Sequence, residues 1–308
     1  MSVYQKLCSI LSDLEKEGKL HPEEYKLCER YPLSRLTSFK TGGEATVLFP
    51  KTISAAALIY PVLKQNTIQT FVLGNGSNVI AKDEGYPGLI LSLVELKQIQ
   101  VDGEKITAEC GALLTTVANL AQRNSLSGME AMFGIPGTVG GAVFMNAGAY
   151  GTECRDVIVS ATCVTAHGEV ITYPAEELSL GYRTSRFENS DDLILSATFA
   201  LKMGDGEAIR AAMDDYMSRR VEKQPLEYPS AGSTFKRYEG RFTAQLIDEA
   251  GLKGYRHGGA MVSEKHAGFV INYDHATSAD IFAVIEKVQE AIYAREGIRI
   301  QREVRIIE

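Results

Sequence analysis

The stretch AMFGIPGTVGGAVFMNAGAYG, Ala131 to Gly151, holds six glycines interleaved with Ile135, Val139, Val143 and Phe144. Apolar residues at those positions exclude a solvated Gly/Ser linker. Glycine lets a main chain take positive φ and approach a ligand with no Cβ in between, and successive amides then become donors to phosphate or carbonyl oxygens. Tight turns between buried strands use glycine in a similar way. A second cluster, Leu73-Gly74-Asn75-Gly76-Ser77-Asn78-Val79, directly follows the apolar run Phe71-Val72-Leu73. A strand feeding a Gly/Asn/Ser turn is a common anion cradle, because turn amides and the Asn and Ser side chains converge on one point. Two familiar nucleotide motifs do not fit. A Rossmann turn needs a third glycine where Val79 stands and a helix after it, and the Gly-Lys-Ser/Thr end of a P-loop is missing.

The 308 residues, 45% of them hydrophobic, suffice for two or three packed lobes. A net charge of −7 argues against a broad nucleic-acid footprint, so any anionic ligand has to be met by local lysines and arginines. No apolar run approaches the roughly 18 residues that cross a bilayer. The opening MSVYQKLCSILSDLEKEGKL has an amphipathic helical rhythm and lacks the apolar core of a signal peptide. Cys8, Cys28, Cys110, Cys154 and Cys163 form no CxxC pair and read as free thiols, which places the chain in a reducing cytoplasm. The five histidines show no metal-ligand spacing, and no metal is expected.

Residues 1–30 read as two helical segments. Short strands are expected at 45–50, 70–73, 89–93, 106–110, 157–166, 169–173, 193–201, 268–271 and 298–307, and helices near 52–65, 113–124, 206–223, 242–250 and 278–296. Strands and helices cluster rather than strictly alternate, which predicts α+β lobes. Three constellations could carry chemistry. Arg183 and Arg186 bracket hydroxyl side chains, and an arginine fork suits carboxylate or phosphate, although surface ion pairs look the same in sequence. Ser233, in Ala231-Gly232-Ser233-Thr234-Phe235-Lys236-Arg237, lies outside any GxSxG elbow, so it reads as a proton donor, a ligand contact or a helix cap rather than an acyl nucleophile. Glu303 sits in an alternating edge-strand pattern, where glutamate is usually solvent-facing. His266, after Glu264-Lys265, could touch a ligand.

Read in order, Thr37–Gly43 (TSFKTGG), Gly74–Asn78 (GNGSN), Gly134–Ala142 (GIPGTVGGA), Asn146–Gly151 (NAGAYG), Gly181-Tyr182-Arg183, Gly232–Lys236 (GSTFK) and Glu303-Val304-Arg305 resemble UDP-N-acetylenolpyruvoylglucosamine reductases across residues 31–307. The resemblance implies a vanillyl-alcohol-oxidase-like (PCMH-type) two-lobed FAD fold with a C-terminal α+β substrate domain. The implied borders are a helical segment at 1–34, an FAD domain at 35–203 and a substrate domain at 204–308, whose last strand returns toward the flavin. It implies a cytoplasmic, monomeric enzyme of peptidoglycan precursor synthesis, holding FAD non-covalently and using NADPH to reduce the enolpyruvyl ether of UDP-N-acetylglucosamine enolpyruvate. FAD would contact Gly74, Asn75, Gly76, Ser77, Asn78, Ile135, Pro136, Gly137, Gly140, Gly141, Ala142, Asn146 and Gly148. Hydride would reach C3, Ser233 would protonate C2, and Arg183 and Glu303 would stabilise the aci-carboxylate between the two steps. Tyr182, Lys236, Arg237, Lys265 and His266 would meet the substrate.

Two departures stand out. Arg237 replaces an asparagine frequent after the serine motif, and the short interval from Arg183 to Ser233 matches the branch without an inserted tyrosine loop. Closure over the substrate would then fall to residues such as Tyr255, Arg256 and Lys265. Another FAD oxidase or dehydrogenase of the same fold, or a non-catalytic nucleotide-binding protein, is the alternative reading of this sequence.

Overall fold

Leu7, Leu11 and Leu14 recur at helical spacing, and in the computed structural model, which describes residues 1–238 and 241–308, helix α1 (Val3–Lys16) buries all three. Each such leucine contributes about 2 kcal/mol on burial. Ser2 Oγ accepts the Gln5 amide while the Gln5 side chain accepts the Ser2 amide, a reciprocal cap that sets where the helix begins. The second expected N-terminal helix is instead the strand Tyr25–Pro32, entered through a 3-10 turn at Pro22–Glu24. Tyr25 and Leu27 flank the exposed Lys26 with the two-residue period of a strand, and pairing beside Glu44–Pro50 satisfies its backbone.

The chain forms two compact units, each assembled from separate segments. The first comprises Met1–Glu29, Thr46–Asn75 and Gly88–Ser218. It is built on a sheet in the order Tyr25–Pro32, Glu44–Pro50, Tyr86–Ser92, Thr70–Leu73, and on a five-stranded antiparallel sheet in the order Val170–Pro174, Ile158–Val164, Leu193–Ala200, Lys105–Glu109, Ile99–Asp102. Helices α2 (Ile53–Gln65), α3 (Leu114–Arg123) and α4 (Val139–Met145) and most of α5 (Gly206–Lys223) complete it. One core unites Leu7, Ile59, Leu89, Val117, Val143 and Phe199. Thr70–Leu73 pairs parallel with Leu89–Ser92 at the sheet edge, so the glycine turn at 74–78 follows directly on Leu73, the one buried residue of that strand.

The second unit comprises Arg30–Ala45, Gly76–Pro87 and Arg219–Glu308. Helices α6 (Thr243–Glu249) and α7 (Ser278–Glu296) accompany a three-stranded sheet, Arg256–His257, Ala260–Val262 and Val270–Asn272. α7 buries Ile281, Val284, Ile285, Val288 and Ile292 and ends at Gly297, which takes the left-handed conformation. Its first turn is held by the Asp83 carboxylate, which accepts Ser278 N (3.0 Å), Ser278 Oγ (2.8 Å) and Ala279 N (3.3 Å). The expected strand 298–307 is regular only at Arg305–Ile307, which pairs parallel with Val79–Ala81, immediately after the glycine turn. These compact units interleave in sequence and so follow a different division from the expected borders at 34/35 and 203/204. The α1 leucines belong to the first core, and the 79–81 strand belongs with the C terminus.

Candidate active site

Within the first unit the two glycine-rich segments lie against one another. A Cβ on Gly74 would stand 2.3 Å from Thr138 Oγ1, and Asn75 Nδ2 donates to the Pro136 carbonyl at 2.7 Å. Glycine at position 74 is thus required by contact between the loops themselves. Thr138 caps α4, its Oγ1 accepting the Gly141 amide at 3.4 Å, while the Val139 and Gly140 amides donate to Ala112 O and Cys110 O at 2.8 Å. Those three amides are used inside the protein, against the expectation that this run would offer them to phosphate. The amides of Asn75, Gly137 and Thr138 have no protein acceptor among the described residues. Among the described residues a Cβ on Gly141 would meet only Thr138 Oγ1, at 3.6 Å, and Gly141 is exposed. Its outer side is open, so a flat ligand can lie against the main chain there. This open flank, beside free amides, fits a flavin nucleotide.

Ile135 is half-buried with its amide on Met132 O, Pro136 is exposed and Ala142 faces the core. Asn146 is fully buried, ends α4 in the left-handed conformation, and has both Nδ2 hydrogens committed within the protein. Its Nδ2 donates to Glu153 Oε2 (2.9 Å) and Gly181 O (2.8 Å), and its Oδ1 accepts the Arg155 amide (3.0 Å). It ties the NAGAYG segment to the Gly181-Tyr182-Arg183 turn. There Arg183 adopts φ 56°, its guanidinium lies 5.3 Å from the Tyr182 ring centre, and Nη2 donates to Gly148 O at 3.5 Å. Tyr182 is 43% exposed.

In the second unit Thr234 organises the serine motif. Buried, it donates its amide to Gly268 O (2.8 Å), accepts Val270 N on Oγ1 (3.0 Å), and accepts the Glu303 amide on its carbonyl (2.8 Å). Lys236 N donates to Gln301 O at 2.9 Å. Ser233, exposed after the positive-φ Gly232, and Glu303, half-buried, therefore sit on adjoining extended segments. Asn78 grips the same C-terminal segment, its carbonyl accepting Arg305 N (3.1 Å) and its Nδ2 donating to Glu303 O (3.3 Å). The turn residue expected to touch cofactor thus holds the backbone of Glu303 in place. Gly76 and Ser77 keep amides without a protein acceptor among the described residues.

The remaining substrate candidates make local contacts in this unit. Arg237 stacks 4.7 Å from the exposed Phe242 ring. Lys265 donates to Val221 O (2.7 Å) and approaches Glu227 (3.8 Å). His266 Nδ1 accepts the Gly268 amide (3.1 Å), and burial holds its pKa below the usual histidine value, favouring the neutral ring. Arg256 binds Gly258 O and Asp274, and Tyr255 packs on the core of this unit. Thr138 and Thr234 were not singled out by sequence. A threonine just before Val139-Gly140-Gly141 is a helix-start signal that could have revealed the first.

Cys110 and Cys154 are 1% and 0% exposed, and Cys163 is equally buried. Desolvation pushes the Cys154 and Cys163 thiols up to about 12 and the Cys110 thiol still higher. A thiol reagent is expected to titrate only Cys8 and Cys28 in the native protein and all five cysteines after denaturation. Fast reaction of a third thiol in the native protein contradicts this burial.

The FAD binding domain family matches residues 45–173, and the C-terminal domain family of UDP-N-acetylenolpyruvoylglucosamine reductase matches 224–307. Together with the cradle described above, these define an FAD-dependent oxidoreductase of the two-domain PCMH-type α+β fold. The chain is 47% identical to UDP-N-acetylenolpyruvoylglucosamine reductase of Levilactobacillus brevis (92% of this chain, 93% of that one) and 46% identical to that of Clostridium novyi (94% of each). The crystal structure of the Thermus caldophilus reductase superposes with a TM-score of 0.80 at 32% identity, over 92% of this chain and 100% of that one. The chain belongs to the UDP-N-acetylenolpyruvoylglucosamine reductase family. Among the described residues no helix is long and apolar enough to cross a membrane.

Proposed function

We propose that this protein reduces the enolpyruvyl ether of UDP-N-acetylglucosamine enolpyruvate to UDP-N-acetylmuramate with NADPH, as a monomer in the cytoplasm. The observation that carries the reading is the Glu303 amide on Thr234 O at 2.8 Å. It sets a carboxylate on the segment adjoining a serine 70 positions earlier in sequence. Five free cysteines suit a reducing compartment. FAD, when bound, supplies the hydride relay from NADPH to C3 of the enolpyruvyl group. This chain's residues do the rest. The Arg183 guanidinium pairs with the substrate carboxylate, and Glu303 shares a proton with it as charge moves from C2 into the carboxylate. Ser233 Oγ then donates its proton to C2. A serine hydroxyl is a weak acid, so this step needs a strongly basic carbanion and a positive neighbourhood, which Lys236 provides three residues on. Because Ser233 is exposed, solvent can return its proton. Gly74, Asn75, Gly76, Ser77, Gly137, Gly140 and Gly141 would hold the cofactor, with Asn78 and Asn146 bracing the segments around it. Tyr182, Arg237, Lys265 and His266 are assigned to the sugar nucleotide.

The test is spectroscopic. The purified protein is expected to be yellow, to be bleached anaerobically by NADPH, and to recover colour with the enolpyruvyl sugar nucleotide as UDP-N-acetylmuramate forms. Recovery with oxygen but not with that substrate overturns the reading. Acid precipitation is expected to release all the colour into the supernatant, since no histidine lies between His21 and His167 and the cysteines of the FAD-binding unit nearest the cradle are buried. Colour retained in the pellet means a covalent flavin.

A further inference from the structure

The TSFKTGG motif has no part in the chemistry above, yet the second unit builds it onto the glycine turn. Gly76 O accepts both the amide (3.0 Å) and the hydroxyl (3.2 Å) of Ser38, and a Cβ on Gly76, whose φ is 62°, would stand 1.9 Å from Leu36 O. The loop is closed on itself by Thr37 Oγ1 donating to Thr41 O (3.0 Å) and Lys40 N donating to Thr37 O (3.2 Å). Thr41 is 4% exposed, and its Oγ1 is buried with no protein partner among the described residues. An orphaned buried hydroxyl costs roughly 1–3 kcal/mol, which a ligand oxygen can offset.

Lys40 is the odd residue of this loop. It stands at φ 60°, where a lysine costs about 1 kcal/mol more than glycine, and asparagine is also better tolerated. The backbone at this position does not favour lysine. Lys40 is exposed, and no acidic side chain pairs with it among the described residues. Two residues away Ser38 is bonded to the turn that offers the unpaired amides of Gly76 and Ser77, within reach of a four-carbon stem. Consecutive free amides and an unpaired ammonium are the chemistry of a phosphate cradle.

We propose that Lys40, with the amides of Gly76 and Ser77 and the hydroxyl of Thr41, binds the diphosphate of FAD. This rests on the flavoenzyme reading above. A diphosphate is also carried by the sugar nucleotide and by NADPH, so the test separates the three. Acid-released apoprotein is titrated with FAD by flavin fluorescence at several salt concentrations, for wild type, Lys40→Asn and Lys40→Arg, with thermal melts of each. Losing one charge-assisted contact is expected to raise the FAD Kd of Lys40→Asn about tenfold and to flatten its salt dependence. Lys40→Arg is expected to restore most of the affinity, and the KM values of Lys40→Asn for the sugar nucleotide and NADPH to stay within twofold at saturating FAD. An FAD Kd within twofold of wild type in Lys40→Asn overturns the proposal, and so does a rise confined to either KM. Failure of the wild-type protein to bind FAD at all is a different result and overturns the flavoenzyme reading itself.

Discussion

Ser233→Ala is expected to separate the two half-reactions. NADPH should bleach the flavin at nearly the wild-type rate, while recovery of colour with the enolpyruvyl sugar nucleotide slows by at least about 10²-fold, the usual worth of a lost proton donor. Ser233 is assigned to C2 and has no part in the step that consumes NADPH. The fold offers no other route to a large effect. Ser233 is exposed, its hydroxyl has no protein partner among the described residues, and the segment is anchored next door by the three bonds of Thr234. A surface substitution of this kind usually falls within about 0.5 kcal/mol of neutral. Stopped-flow absorbance measures both halves on one sample. Equal slowing of the two would make Ser233 a structural residue and remove it from the proton-transfer step.

Glu303→Gln is expected to leave binding of the sugar nucleotide almost unchanged and to lower the rate of its reduction by about 10²-fold. Glutamine keeps the shape and most of the hydrogen bonding but cannot share a proton with the developing aci-carboxylate. An interaction made chiefly in the transition state appears in kcat rather than in KM. The backbone of Glu303 is held independently of its side chain, by Thr234 O and by Asn78 Nδ2, so the carboxamide should sit where the carboxylate sat. Single-turnover reoxidation within twofold of wild type would return Glu303 to the solvent-facing role that an edge-strand glutamate ordinarily has. A matching rise in KM with kcat unchanged would make it a ground-state contact instead.

Sequence by itself determined most of the local structure and the order of the motifs. Helices α2, α3, α5, α6 and α7 lie where the sequence pattern puts them, and in α2, α3 and α7 buried apolar residues recur at helical spacing. The strands at 70–73 and 193–200 were equally legible. The failures are where partners distant in sequence decide the outcome. Tyr25–Pro32 becomes a strand because Glu44–Pro50 lies beside it, and the tail is regular only at Arg305–Ile307 because Val79–Ala81 is there to pair with it. The density of glycine announced close backbone approach but not to what. Gly74 makes room for Thr138 and Gly76 for Leu36 O, whereas Gly141 alone of these faces open space. Asn78 and Asn146, expected as ligand contacts, also brace neighbouring segments, since a polar side chain at a turn makes hydrogen bonds with whatever the fold brings nearest. That choice depends on contacts between segments up to 225 positions apart, as for Asn78 and Glu303, and short-range pattern carries no information about them.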